Sequence, residues 1–171
     1  MNNHMRLAII LFSRLLIGAI VALLAATSRA QSLPDGVELG MTVPQLRQAV
    51  GTLKPVPHPL RMAGGLIGAW TSQSVVIAGV DVAPTYFFAG GQLRRIEYLA
   101  SSLVDEMSFD AVLAWARAQW GAELSSLSPE GAYANWAQGE VDVYLQQAGG
   151  TQPSQLRLVI KRRVLKNAGE L

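Results

Sequence analysis

Apolar and polar positions alternate with two different periods along this chain, after an apolar opening. Leu15 to Ala26 (LLIGAIVALLAA) is an unbroken apolar run. From Leu46 the apolar residues Leu46, Ala49 and Val50 follow helical spacing, and Gly51 is a natural stop. Thr42 stands at the N-cap position, Gln45 completes a capping box three residues on, and Pro44 falls in the first turn, where its missing N–H costs little. A short helix is predicted there. Lys54 to Pro59 (KPVPHP) carries three prolines and reads as an extended linker rather than helix or central strand. Beyond it, Leu66 to Thr71, Val75 to Val80 and Thr85 to Ala89 read as strands, and Gly90-Gly91 makes a tight turn into Leu93 to Leu99.

A second helix is predicted where Phe109, Val112, Leu113, Ala116 and Trp120 form one apolar stripe, with Ser108 as its cap, Asp110 at its positive end and Gly121 as its terminator. Three more strands follow: Tyr133 to Ala137, Glu140 to Gln147 and Gln155 to Arg162, the last two joined through 149–153. Val141, Val143 and Leu145 alternate with Asp142, Tyr144 and Gln146, while Leu156, Leu158 and Ile160 alternate with Arg157, Val159 and Lys161. Each therefore reads as a strand with one buried and one wet face. The expected fold is α+β, an antiparallel sheet with two helices packed on one face. A loose internal repeat suggests two tandem α-then-β units, 39–100 and 106–163, aligning Gly51, Trp70, Val75 with Ile77 and Leu93 to Leu99 on Gly121, Trp136, Val141 with Val143 and Leu156 to Arg162.

The opening apolar run changes how charge is read. Arg6 and Arg14 precede it, and Ser28-Arg29-Ala30 places small side chains at −3 and −1 of a cut between Ala30 and Gln31. Twelve apolar residues rise about 18 Å as a helix, short of the roughly 30 Å hydrocarbon layer. Residues 1–30 are therefore expected to be a cleaved secretory leader. The competing reading is an uncleaved anchor, because Leu7 to Phe12 is also apolar. Three of the 14 Lys and Arg (Arg6, Arg14, Arg29) precede the cut, leaving 11 against 12 Asp and Glu, so the processed chain is near −1. The sequence pI of 9.2 belongs largely to the precursor, and no nucleic-acid partner is expected. Of 171 residues, 31–171 remain, enough for a single domain with its own core. Export with no stable membrane anchor after cleavage places the protein in the periplasm or outside the cell.

Chemistry narrows the classes further. There is no cysteine, hence no disulfide framework, thiolate metal site or Cys nucleophile. His58 is the one histidine after the leader, too few for a His-based metal cluster or a Ser-His-Asp triad. Asp105-Glu106 complements a helix dipole; Gly64-Gly65, Gly90-Gly91 and Gly149-Gly150 match no phosphate loop; Ser101-Ser102 and Ser125-Ser126 have no base nearby in sequence. No catalytic residue, metal or cofactor is expected. Five basic residues (Arg157, Lys161, Arg162, Arg163, Lys166) gather in the last fifteen positions, either as a solvated strand and tail or as a docking patch. If Val143 and Leu145 face the helices, Tyr144, Arg157 and Lys161 face the open side of the sheet, and Tyr and Arg dominate interface energetics. Trp70, Trp120 and Trp136 are expected in the core, with Trp115 partly exposed.

Leu39-Gly40-Met41-Thr42, Leu46 and Val50-Gly51, followed by Phe87 to Tyr98 (FFAGGQLRRIEY), resemble the small periplasmic domains typified by the outer-membrane assembly lipoproteins and the β-lactamase inhibitor protein. The likeness covers Leu39 to Tyr98, with a fainter echo from Phe109 to Lys161. It implies an α+β sheet domain that binds other proteins and catalyses nothing. The chain departs from both families in lacking cysteine, which the lipoproteins acylate and the inhibitors pair. The expected function is thus an exported binding module recognising a protein or an envelope component through its sheet face. The alternative is a small hydrolase of an envelope polymer, acting through carboxylates such as Glu123, Glu130 or Asp142.

Overall fold

A computed structural model of the protein describes residues 36–124, 132–148 and 155–163. The expected leader and the cut expected between Ala30 and Gln31 lie outside these residues, as do Ser125-Ser126, Glu130, the 149–153 connection and Lys166. Among the described residues two α-helices and eight strands follow one another as α1 (Val43–Val50), β1 (Lys54–Met62), β2 (Leu66–Thr71), β3 (Val75–Ile77), β4 (Val80–Ala89), β5 (Gln92–Ala100), α2 (Glu106–Trp120), β6 (Tyr133–Gln138), β7 (Val141–Ala148) and β8 (Gln155–Arg162). All strands join one antiparallel sheet in the order β1-β2-β4-β5-β8-β7-β6, with β3 also pairing β4. The fold is α+β and mostly sheet.

Local chemistry explains the boundaries. In α1 the Gln45 side chain accepts from the Thr42 backbone N–H and hydroxyl, both at 2.8 Å, and Gly51 at φ 69° closes the helix. The second helix begins earlier than its apolar stripe suggests. Asp105, not Ser108, is the N-cap: its carboxylate accepts from the Ser108 N–H (2.8 Å) and hydroxyl (2.6 Å). A carboxylate there satisfies an orphan donor and complements the helix dipole. Val104 and Phe109, the two staple positions around this cap, are both buried.

Two strands also differ from the expectation. Lys54 to Pro59 is not a linker but the first part of edge strand β1, where prolines are tolerated because one side of the strand needs no donors. Val75 to Val80 is not one strand: Ala78 (φ 49°) and Gly79 (φ 83°) form a two-residue turn between Ile77 and Val80. Positive φ at both central residues suits the right-handed twist of a hairpin, so β4 starts at Val80 and β3 continues the track of β2 alongside it.

The core lies between the helices and one face of the sheet. Leu46 of α1 and Phe109, Val112, Ala116 and Trp120 of α2 share a cluster with Tyr86, Ile96, Tyr98, Trp136, Val143, Leu145, Leu158 and Ile160. Trp70 and Trp115 pack against it while partly exposed. The end of α2 is fastened to β6. Trp136 Nε1 donates to the Gly121 carbonyl (2.9 Å), Gln138 Nε2 donates to the Trp120 carbonyl (2.8 Å), and the Trp120 and Trp136 rings meet at 5.8 Å. Carbonyls that a helix terminus leaves unpaired are thereby satisfied from the sheet.

Candidate functional site

Register decides what the opposite face of the sheet displays, since directly paired residues share a face. One row runs Leu60, Gly68, Phe87, Arg95, Lys161, Asp142 and Ala137 across seven strands. The next runs Thr71, Thr85, Glu97, Val159, Tyr144 and Asn135, and a third Ala83, Leu99, Arg157, Gln146 and Tyr133. Phe87 and Val159 are buried on this face, apart from the main core cluster. The Phe87 ring lies against Gly68, where a Cβ would meet it at 2.5 Å, and the Arg95 guanidinium sits 5.4 Å from its centroid. That is cation–π distance.

The charged groups form a linked set. Glu97 is 8 % exposed and held by two guanidiniums: Arg95 Nη2 at 2.7 Å on Oε2 and Arg157 Nε at 3.0 Å on Oε1. A buried carboxylate is tolerable only with such compensation. Asp142 is engaged by Arg163 at 2.7 Å. Lys161 makes none of the ion pairs formed among the described residues. Its ammonium instead lies 4.9 Å from the Tyr144 ring centroid, and Tyr144 meets Tyr133 at 6.0 Å. Burial, and then the neighbouring Tyr144 and Asp142, push the Tyr133 phenol upward, so it remains a hydrogen-bond donor well above neutral pH.

These side chains surround an open groove of about 230 Å³. Arg95, Arg157 and Lys161 contribute cations, Tyr133 and Tyr144 aromatic rings, Gln146 an amide and Val159 an apolar floor. Tyr144, Arg157 and Lys161, the three residues singled out from strand alternation, thus line one site. Alternation did not single out Arg95, Glu97, Tyr133, Gln146 or Val159. The usable signal for β5 was Arg95 and Glu97 interleaved with Ile96 and Tyr98; its pairing with β8 lies 58 residues away in sequence at Leu99 and Arg157.

Other sequence candidates lie elsewhere. His58 is exposed on edge strand β1, at the opposite side of the sheet from β6. Arg162 pairs with Glu140 (2.5 Å), beside the β6–β7 turn. Glu123 is gripped by Arg117, with Nε 2.8 Å from Oε2, and these hydrogen bonds lower its carboxyl to about 2. Among the described residues no group of three or more His, Cys, Asp or Glu is placed to hold a metal ion, and no helix is long and apolar enough to cross a membrane.

No protein-family model matches the chain, and no curated protein matches it either. Among solved structures, it is similar to a DUF4309 family protein (YjgB) from Bacillus subtilis. The TM-score is 0.40 and the identity 13%, over 78% of this chain and 85% of that one.

Proposed function

We propose that this protein is an exported, non-catalytic binding module, periplasmic or secreted, that recognises another protein or an envelope component through the open face of its sheet. The observation that carries this reading is the groove itself. Two tyrosines and three cations converge on a face that the helices leave uncovered. Tyr and Arg supply large contact area and directional donors, the chemistry enriched at interface centres. The same reading includes the cleaved leader, kinship with the assembly-lipoprotein and inhibitor domains, and two α-then-β units that end on β5 and β8. The pairing of those two terminal strands supports the last of these.

A carboxylate-pair hydrolase draws less support. Glu123 and Asp142 are each committed to an arginine, and a carboxyl lowered to about 2 holds no proton to donate near neutral pH. The test is capture from envelope extract by the protein, run beside a Tyr144→Ala, Arg157→Ala double variant checked for folding by circular dichroism. A partner retained by the parent and lost by the folded variant supports the reading. Equal retention by both, or none by either, refutes it.

A further inference from the structure

The groove carries an excess of charge that its own residues do not balance. Three cations face the single carboxylate of Glu97, which leaves two net positive charges, because Asp142 is taken by Arg163. Arg95 is held inward by Glu97 and by the Phe87 ring, with its side chain 17 % exposed. Arg157 is 43 % exposed, and Lys161 forms none of the ion pairs among the described residues, its cross-strand neighbour Asp142 being paired with Arg163. The tyrosine rings flank these cations on one side, and Gln146 adds an amide on the strand row of Arg157. Resting on the binding-module reading, we infer that the groove seats an acidic side chain of a protein partner, its carboxylate held between Lys161 and Arg157 over Val159.

Charge complementarity selects a carboxylate, and the rest of the face selects a protein as its bearer. Leu60 is 52 % exposed and stands in the same cross-strand row as Arg95 and Lys161. Met62, two residues on along β1 and so on the same face, is 38 % exposed. Four strand spacings of about 4.8 Å put Leu60 roughly 19 Å from the groove. One end of the face therefore offers apolar anchors and the other a cationic, aromatic seat. Seven strands of about eight residues give a face of roughly 29 by 26 Å, close to the ~800 Å² that each partner contributes to a standard protein interface. A sugar polymer has no use for the distant leucine and methionine; a folded partner does.

Glu97 sets the strength of the seat. It neutralises part of the cationic charge while holding Arg95 and Arg157 in place, so it tunes affinity rather than contacting the ligand. Removing its charge moves binding in the opposite direction from removing Lys161.

The experiment is a titration of the protein, recovered from cells expressing the full chain, with a short glutamate-rich peptide. Its glutamine counterpart, a galacturonate oligomer and inorganic phosphate serve as separate probes, and binding is read from backbone amide shifts of β7 and β8. Saturable binding of the glutamate peptide alone is expected, weakening steeply with salt. Lys161→Met should weaken it on the order of ten-fold or more, and Glu97→Gln should strengthen it at low salt. Equal binding of the glutamate and glutamine peptides overturns the inference, as does a glutamate affinity unchanged by Lys161→Met. Binding of galacturonate or phosphate in place of the peptide also overturns it, assigning the seat to another anion. If a captured partner still needs Tyr144 and Arg157 but ignores salt and Lys161→Met, the acidic-group inference fails while the binding-module reading stands. If capture itself fails, both fall.

Discussion

A methyl group added at Gly68 would land 2.5 Å from Cε1 of Phe87 and 2.8 Å from Cδ1 and Cζ. Carbon atoms in contact sit about 3.5 to 4.0 Å apart, so Gly68→Ala obliges the ring to retreat by about 1 Å. The ring has little room to do so. It is fully buried, and the Arg95 guanidinium above it is also tied to Glu97. Overpacking of this kind costs about 1 to 3 kcal/mol. Alanine restricts the unfolded chain and returns about 0.4 to 1 kcal/mol. Gly68 is not among the positive-φ glycines, so no backbone strain is added. The expected net loss is centred on about 1.3 kcal/mol and reaches at most about 2.6 kcal/mol, the central value being roughly 4 to 6 °C in Tm for a domain of this size, measured by urea denaturation and thermal melts. In a Phe87→Leu background the alanine should cost less, with a coupling of about 0.5 kcal/mol or more. Strand interiors ordinarily prefer alanine to glycine. If Gly68→Ala proves stabilising, or if the two substitutions add without coupling, the packing of Phe87 over Gly68 is refuted.

Ala78→Asn should stabilise the fold by about 0.5 to 1 kcal/mol in the same denaturation assay, because asparagine tolerates the positive φ that alanine adopts unfavourably in this turn. Trp136→Phe should cost about 2 kcal/mol, since it strands the Gly121 carbonyl and leaves space beside Trp120; a smaller effect than Trp120→Phe would count against the helix-end tie. Glu123→Gln should be less stable than the parent at neutral pH, with the two converging in acid. The carboxyl is depressed in the folded state, so its contribution is present above the unfolded value near 4.5 and is lost as pH falls from there toward about 2. Parallel acid-unfolding curves would contradict that assignment.

How far the fold was legible depended on where each signal resides. Strands β7 and β8 are readable because Val143, Leu145, Leu156, Leu158 and Ile160 recur at every second position, although Val159 breaks the polar face of β8 and is buried on it. The Ala78-Gly79 turn is hidden because alanine carries no turn chemistry of its own; cross-strand pairing of Ile77 with Val80 holds it at positive φ. Strand β1 is obscured by Pro55, Pro57 and Pro59, whose meaning changes once the strand is known to lie at an edge. The cap of α2 is misplaced by three residues because serine and aspartate are both good caps and only the hydrogen bond distinguishes them. The candidate site was half visible for a similar reason. Tyr144, Arg157 and Lys161 follow from alternation within single strands, whereas Arg95, with the Glu97 that holds it, reaches the groove through the pairing of β5 with β8, far apart in the chain, and Tyr133 enters by the register of the β6–β7 hairpin.

The β5–β8 ladder has a consequence for how the molecule comes into being. Hairpins β4–β5 and β6–β7 close over two-residue turns and can form early, each within its own part of the chain. Pairing Arg95 with Lys161 or Leu99 with Arg157 instead closes a loop of about 60 residues, the slow kind of step in β-rich folding. Glu97 and its two arginines straddle that seam. The groove therefore has no precursor: a chain with only its first strands folded holds Arg95 but neither Lys161 nor the tyrosines, and a C-terminal fragment holds the reverse. A ligand of this site binds the finished molecule and ignores its folding intermediates, so by mass action it would also act as a clasp on the last step of folding.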